Sequence, residues 1–481
     1  MHALALVDIN NHSQKLETNM TSIRNMSAVI GMTTIALIGQ AQADGHSNYA
    51  GFPVTVSGYT GDKSTSVSYG GQIARHMLHN GLKKMASKGN EAGMLSYFNG
   101  GENLAILDPV SKDSFPIKQS LVDELSKGKT LSKKTYKGVI SGWPGGMTGV
   151  EVLEFMIKKA GNTSNGLDEA TGYNYTQLIS KFAMGAVFYN QTCNNYLGDV
   201  KLSADSKPND KPYKDGAAYT GKEHVWDEAF GYWGAAAHTL EMSAEDSYNV
   251  AKKKDLSAAD HNGDGVVDLT SEMTMAHAYY ASGFDKGGKT NYLQTITQAF
   301  LDGRKDITSA NGEKLGFQQR NRVKKKADII CSNWEKVIAE AVFKYAGSVY
   351  ADLDKMNIIL EANGDTAKIF ATYAKHWGEA KGFALALEAG PKSLGEAGAK
   401  INSLLGAGPW LPNQSQVTDI ASDGSYVKDE AVSLQEYQLH MLKLQALMVD
   451  KFGVVARSND KLASIEDLAS KLGGSTSSEN D

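Results

Sequence analysis

Apolar residues return at helical spacing along most of this chain, and that period restricts it to a mainly α fold. Leu178, Ile179, Phe182, Ala183, Ala186 and Val187 form one stripe, and Val337, Ile338, Ala341, Val342, Tyr345 and Val349 form another. Stripes this wide need other helices packed over them, because an amphipathic face left in water forgoes its burial. Gly-rich turns separate the helical patterns, with Trp143-Pro-Gly-Gly146 the clearest breaker. Residues 44–70 depart from the period. Alternation at Phe52, Val54 and Val56, and again around Val67 and Tyr69, predicts an extended arm or short hairpin there. A first helical unit then spans 71–301 and a second 333–472. The polar stretch 302–332, with Asn311-Gly312 and the basic run Lys324 to Lys326, is expected to connect them. The Gly, Ser, Thr and Asn of residues 473–481 cannot bury a core and predict a disordered tail.

The long apolar stretch Met26 to Gly39 follows Arg24 and precedes Ala41-Gln-Ala43, which is the order of a secretory signal peptide. Translation from Met20 would give that signal a compact form, and cleavage would leave Asp44 first, so residues 1–43 are expected to be a leader and the product periplasmic or secreted. No Cys follows the cleavage site to carry a lipid anchor, and no later segment has the apolar length to span a bilayer. A formal net charge of −5, with 49 basic and 54 acidic residues, offers nothing that calls for nucleic acid. An oxidising compartment permits Cys193 and Cys331 to pair, while two buried free thiols fit the sequence nearly as well. A redox role would need a CxxC pair, and there is none.

Between two helical patterns lies Asp260-His-Asn-Gly-Asp-Gly-Val-Val-Asp268. Asp260, Asn262 and Asp264 fall at positions one, three and five of a calcium loop, Gly265 supplies the turn at six, and the Val266 carbonyl is the ligand at seven. Asp268 stands at nine. Position twelve is Ser271, and the acid that should bind bidentately comes one residue late as Glu272. The spacing predicts a variant calcium site, with calcium as cofactor; the alternative is a hydrated Asn/Asp/Gly turn.

An internal echo points to a duplicated helical bundle with the calcium loop as an insertion. Trp226-Asp-Glu-Ala-Phe-Gly-Tyr232 and Trp377-Gly-Glu-Ala-Lys-Gly-Phe383 share Trp, Glu, Ala, Gly and a closing aromatic at equal offsets, although two short motifs can also coincide. Polar groups gather around both. His224, Asp227 and Glu228 share one helical face, His238 and Glu241 repeat a His-x-x-acid spacing, and His376 and Glu379 repeat it in the second segment. Such groups can hold a transition metal or cofactor if they converge between the units; the alternative is a set of hydrogen-bonded buried networks that fix packing. His76 and His79, at i and i+3 on the first helix, suit packing or surface roles. Zinc-peptidase, phosphate-loop and Gly-x-Ser-x-Gly hydrolase motifs are missing, so nothing demands an enzyme.

The chain resembles a family of exported bacterial proteins known as a domain of unknown function. The resemblance is carried by Val67 to Arg75, Lys181 to Gln191, His224 to Tyr232, the loop ending in Asp268-Leu-Thr-Ser-Glu272, and His376 to Phe383. More loosely, it is similar to the imelysin-type iron-regulated proteins, duplicated helical bundles with a Gly-x-His-x-x-Glu motif. In Gly149-Val-Glu-Val-Leu-Glu154, Glu151 replaces the His, and Ala236-Ala-His238-Thr-Leu-Glu241 lacks the Gly. The resemblance implies either an exported binding protein for a small ligand or metal, serving uptake of iron or another metal, or a metal-dependent hydrolase or peptidase.

Overall fold

The computed structural model describes residues 47–109 and 115–477. The expected leader, 1–43, lies outside them. The described chain is mainly helical, and its helices begin where short polar side chains can cap them. Thr148 opens α3 (Gly149–Ala160) in a capping box with Glu151, and Thr220 opens α5 (Gly221–Trp233) in one with Glu223. Glu151, which stands where the imelysin motif has His, is thus the acid that closes a helix start. Ahead of these come α1 (Gly70–Ala86) and α2 (Glu91–Asn99), and between them α4 (Tyr175–Ala183), whose cap is Asn174. Beyond Ala183 the helix widens into two π-helical segments, Met184–Tyr189 and Gln191–Tyr196.

The later helices are α6 (Ala244–Ala251), α7 (Ala276–Asp285), α8 (Tyr292–Thr308), α9 (Phe317–Glu361), α10 (Ala367–Glu388), α11 (Gly395–Leu405), α12 (Leu434–Phe452) and α13 (Ile465–Ser477). The arm before α1 is extended as expected: Pro53 bridges Thr65, and Tyr49 stacks on Phe230 at 3.7 Å between ring centroids. Strands are few. β1 (Leu167–Asp168) pairs with β2 (Tyr173–Asn174), and an antiparallel hairpin joins β3 (Ser415–Ile420) to β4 (Tyr426–Glu430).

Stretch 302–332 differs from the expected connection. Helix α8 continues to Thr308 and α9 starts at Phe317, so only 309–316 is non-helical. The reason lies within the polar run: Val323, Ala327, Ile330 and Trp334 are buried, a stripe at helical spacing that leads into the apolar half of α9. Lys324 and Lys326 flank that stripe on either side and pair with Asp199 at 2.7 Å and Asp302 at 2.5 Å. At the C-terminus α13 includes residues 473–477, the first part of the expected tail, and 478–481 fall outside the described residues.

The 45-residue α9 is the spine, packed by α8, α10 and α12. The first half joins the second where α4 crosses α10. That crossing is close because glycines leave room: a Cβ at Gly382 would stand 2.7 Å from the Lys181 Cβ, and one at Gly185 would stand 2.2 Å from the Ala386 Cβ. Gly231 plays the corresponding part in the first Trp segment, where a Cβ would meet Tyr69 at 2.7 Å and Gln72 at 2.8 Å. Both Trp side chains are fully buried; Trp226 donates to the Phe300 carbonyl at 2.8 Å and Trp377 to the Tyr437 hydroxyl at 2.8 Å.

Cys193 and Cys331 form a disulfide that ties the second π-helical segment to α9 across 138 residues of sequence. Closing so long a loop restricts the unfolded chain, and removing such a bond typically costs about 2–4 kcal/mol. Cys331→Ser is therefore expected to lower unfolding stability by about that amount. Urea titrations of the oxidised parent and the variant measure it, and equal midpoints would refute it.

Candidate functional site

The residues expected to converge stand in four separate networks. Asp227 and Glu223 are fully buried around Arg304: Nε donates to Asp227 at 2.9 Å and Nη1 to Glu223 at 2.9 Å. The Tyr49 hydroxyl and the Ser68 amide complete the Asp227 shell at 3.0 and 3.1 Å. Burial raises the Asp227 carboxyl to about 6, with Arg304 opposing the rise. This is a closed ionic core with every partner present.

On the other side of α5, His224 and Glu228 lie 3.7 Å apart. The His224 ring is held between Tyr219 and Tyr213, at 4.5 and 4.2 Å, and Glu228 accepts from Gln72 at 2.9 Å. Burial lowers the His224 pKa against the pull of Glu228. His238 belongs to a third network, beside the loop. Its Nε2 meets the Ala258 carbonyl at 3.0 Å, its ring stacks on His261 at 4.6 Å, and His261 approaches Glu241 at 3.6 Å. The fourth network holds His376 and Glu379. His376 Nδ1 lies 2.6 Å from Asp352, and Glu379 lies 3.7 Å from the Lys181 amine. No partner is common to the four. Among the described residues no group of three or more His, Cys, Asp or Glu side chains is arranged to hold a metal ion.

Within the predicted calcium loop, Asp260 accepts from the amides of Asp264 and Gly265 at 3.1 and 2.9 Å. Asn262 accepts from Asp264 at 2.9 Å, and Asp264 from Val266 at 2.9 Å. Gly265 has φ of +79°, the left-handed turn expected at position six. Next to it, Val267 exchanges backbone hydrogen bonds with Pro116 and Lys118 in a parallel bridge centred on Ile117. The last two expected ligands are engaged elsewhere. Asp268 accepts from Lys118 and Gln119, both at 2.8 Å, and these bonds hold its carboxyl below the ordinary value although burial pushes the other way. Glu272 accepts from the amides of His261 and Asp268, at 3.2 and 2.6 Å.

The fourth network opens on a cavity. Between the two halves of the bundle lies a space of about 610 Å³, lined from α1, α4 and α7 on one side and α9 and α10 on the other. A third wall comes from the residues flanking loop 260–272: Tyr248, Lys252 and Lys253 before it, and Met273 to Ala276 immediately after it. Six lysines line this cavity, namely Lys83, Lys181, Lys252, Lys253, Lys344 and Lys375, against the carboxylates Asp108 and Glu379. Asp108 is paired with Lys253. Gln177 and Thr274 also line it, and each has a buried oxygen with no hydrogen-bond partner among the described residues. The lysines escaped the sequence reading because they come from five segments. Lys181 itself lies on the face of its helix opposite the apolar stripe, where the pattern predicts a solvated charge, yet it is buried.

Residues 154–390 match DUF4856, a domain of unknown function. The match runs from within α3 to just past α10, so it takes in both Trp segments, the loop, the disulfide, Lys181 and Glu379, while His79 and Lys83 precede it. No curated protein and no solved structure matches the chain.

Three buried histidines stand near the cavity, with His79 in its lining. His76 and His79 bond the Gly231 and Ser180 carbonyls at 3.0 and 2.9 Å, while neither nitrogen of His277 has a partner among the described residues. Burial pushes them down from 6.5, to about 3, 4 and 3 respectively. Below pH 6.5 the unfolded chain takes up protons that the folded chain refuses, so stability is complete above that pH and falls as pH drops toward 4. Each imidazole contributes a slope of about 1.4 kcal/mol per pH unit. His277→Leu is expected to fold and to remove about one third of the three-histidine slope, read from urea midpoints between pH 6.5 and 4.5. An unchanged slope would refute this account of His277.

Proposed function

We propose that the protein is an exported helical binding protein that holds a small anionic ligand in the cavity between the halves of its bundle. The lysine excess of that cavity carries the reading. Cations gathered in a partly enclosed space lose hydration and repel one another, and a bound carboxylate or phosphate offsets both costs. Burial already lowers the Lys83 pKa, against the opposing pull of Glu379 and Asp108, and burial together with the Lys83 charge lowers that of Lys181 to about 7. The unpartnered hydroxyl of Thr274 can donate one neutral hydrogen bond to the anion. Export is supported by the leader-like N-terminus and by a disulfide, which persists in oxidising compartments.

We favour this reading over the metal-dependent hydrolysis implied by the imelysin resemblance, because the His and carboxylate groups belong to separate networks and most have closed shells. Any metal taken up here would travel inside an anionic chelate, its charge met by lysines. Citrate and pyrophosphate, at matched ionic strength against chloride, are expected to raise the melting temperature of the parent. Saturation at about 100 times Kd corresponds to about 2.7 kcal/mol. The double variant Lys83→Gln/Lys375→Gln should lose the gain. A parent that gains nothing from either anion would overturn the proposal.

Calcium at the loop is a second element of the proposal, supported by the winding of the backbone around Asp260 and the left-handed Gly265. Asp260, Asn262, Asp264 and the Val266 carbonyl would hold the ion, which would neutralise the loop and pin the cavity wall that follows it. Calcium should raise the melting temperature relative to chelator, and Asp264→Ala should abolish the difference. Identical parent curves in calcium and chelator would leave the segment as a turn alone.

A further inference from the structure

We propose that Lys181 captures the ligand covalently, forming an imine with a carbonyl group carried on the same anion. The inference rests on the anion-binding reading above and adds a reactive group to it. Among the described residues three lysines are almost wholly buried, and two are plainly structural. Lys222 donates to the carbonyls of Lys201, Ser203 and Ser206 at 2.6 to 2.8 Å, and Lys381 donates to the Gly406 carbonyl at 2.6 Å. Lys181 is equally buried, at 3 % exposure, yet its amine faces the cavity instead of a backbone acceptor. Its one carboxylate partner is Glu379, an ion pair at a long 3.7 Å, and the Tyr280 ring centroid is at 5.6 Å.

An amine in this position has its lone pair available to a bound molecule. Burial, with the charges of Lys83 and Lys375, brings its pKa down from 10.5 to about 7, while Glu379 opposes the fall. At neutral pH the free-amine fraction is then about three orders of magnitude greater than for an exposed lysine. The chemistry balances without an oxidant or reductant. The Lys181 nitrogen forms a bond to the carbonyl carbon, the π electrons move to oxygen, and that oxygen takes a proton to give a carbinolamine. Loss of the nitrogen proton and departure of the hydroxyl as water leave C=N. His376, positioned through Nδ1 by Asp352 at 2.6 Å and lining the same cavity, is placed to carry the proton between nitrogen and the leaving oxygen. Glu379 then lies beside the iminium cation, and Lys83 and Lys375 hold the anionic end.

The class of ligand is a small carbonyl compound with a negative group, either a 2-oxo acid or a phosphorylated aldehyde. The full chain is incubated separately with pyruvate and with pyridoxal 5′-phosphate, reduced with borohydride, and mapped by peptide mass spectrometry. One probe should give close to one adduct per chain, on Lys181, and the probe that does so identifies the source. Lys181→Met should lose that adduct while keeping a cooperative melt, and His376→Gln should slow its formation. Adducts spread over exposed lysines with both probes, or retained in Lys181→Met, would overturn the proposal. If citrate and pyrophosphate stabilise the parent but no Lys181 adduct forms, the anion site stands and covalent capture falls. If neither occurs, both fall.

Discussion

The close crossing of α4 and α10 is the constraint on which the site depends. Only because Gly382 has no side chain can the α10 backbone approach Lys181, with the room for a Cβ just 2.7 Å from that residue's own Cβ. The approach brings Glu379, one turn earlier on α10, within 3.7 Å of the Lys181 amine. A bulkier residue at Gly382 would move the helices apart and widen the cavity floor. The same contact excludes water from the base of the cavity, and this makes burial the leading influence on the amine. Packing and electrostatics are here one fact: the glycine that permits tight packing also sets the charge environment of the deepest cation.

How much of this was legible in the sequence depends on the length scale of each signal. Helical stripes are local, so the mainly α fold and the extended arm around Phe52 could be read directly. The run 302–332 could not, because its charges hid a buried stripe of only Val323, Ala327 and Ile330. The hairpin of β3 and β4 was missed for a similar reason: β4 buries none of its residues. The His-acid clusters failed through register. His224 precedes Trp226 by two residues and His376 precedes Trp377 by one, a difference of about 100° around a helix. Residues that look equivalent along the chain therefore face different neighbours, and only His376 comes to line the cavity.

The loop segment shows how an insertion can serve a site it does not enter. Its expected ligands lie outside the cavity, but the residues at its two ends form one cavity wall. Three links fix that wall to the rest of the fold: the bridge of Val267 to Ile117, the Met275 amide bonded to the Gly234 carbonyl at 2.7 Å, and the Ala237 amide bonded to the Ser271 carbonyl at 2.7 Å. Gly234, the left-handed end of α5, belongs to the last of these elements to carry the first Trp segment. Loop conformation, the first Trp helix and the cavity are therefore mechanically continuous.

The two most contrasting cations in the bundle separate structure from function. Arg304, fully buried, donates to Asp227, Glu223 and Ser66 at 2.9, 2.9 and 2.6 Å, so its charge is matched by two carboxylates and its donors are occupied. A planar guanidinium suits that task, because its fixed donors can satisfy several acceptors at once and it does not give up its proton. Lys181 has the opposite chemistry: a compact ammonium, easily neutralised, with one carboxylate in a long ion pair at 3.7 Å and a place in the cavity lining. A core that needed only a satisfied cation at this position would be served by the arrangement around Arg304, or by the backbone carbonyls that hold Lys222 and Lys381. Placing instead a titratable amine with a single, long ion pair in a lysine-lined space costs stability unless an anion enters that space, and that cost is the physical argument for the ligand proposed above.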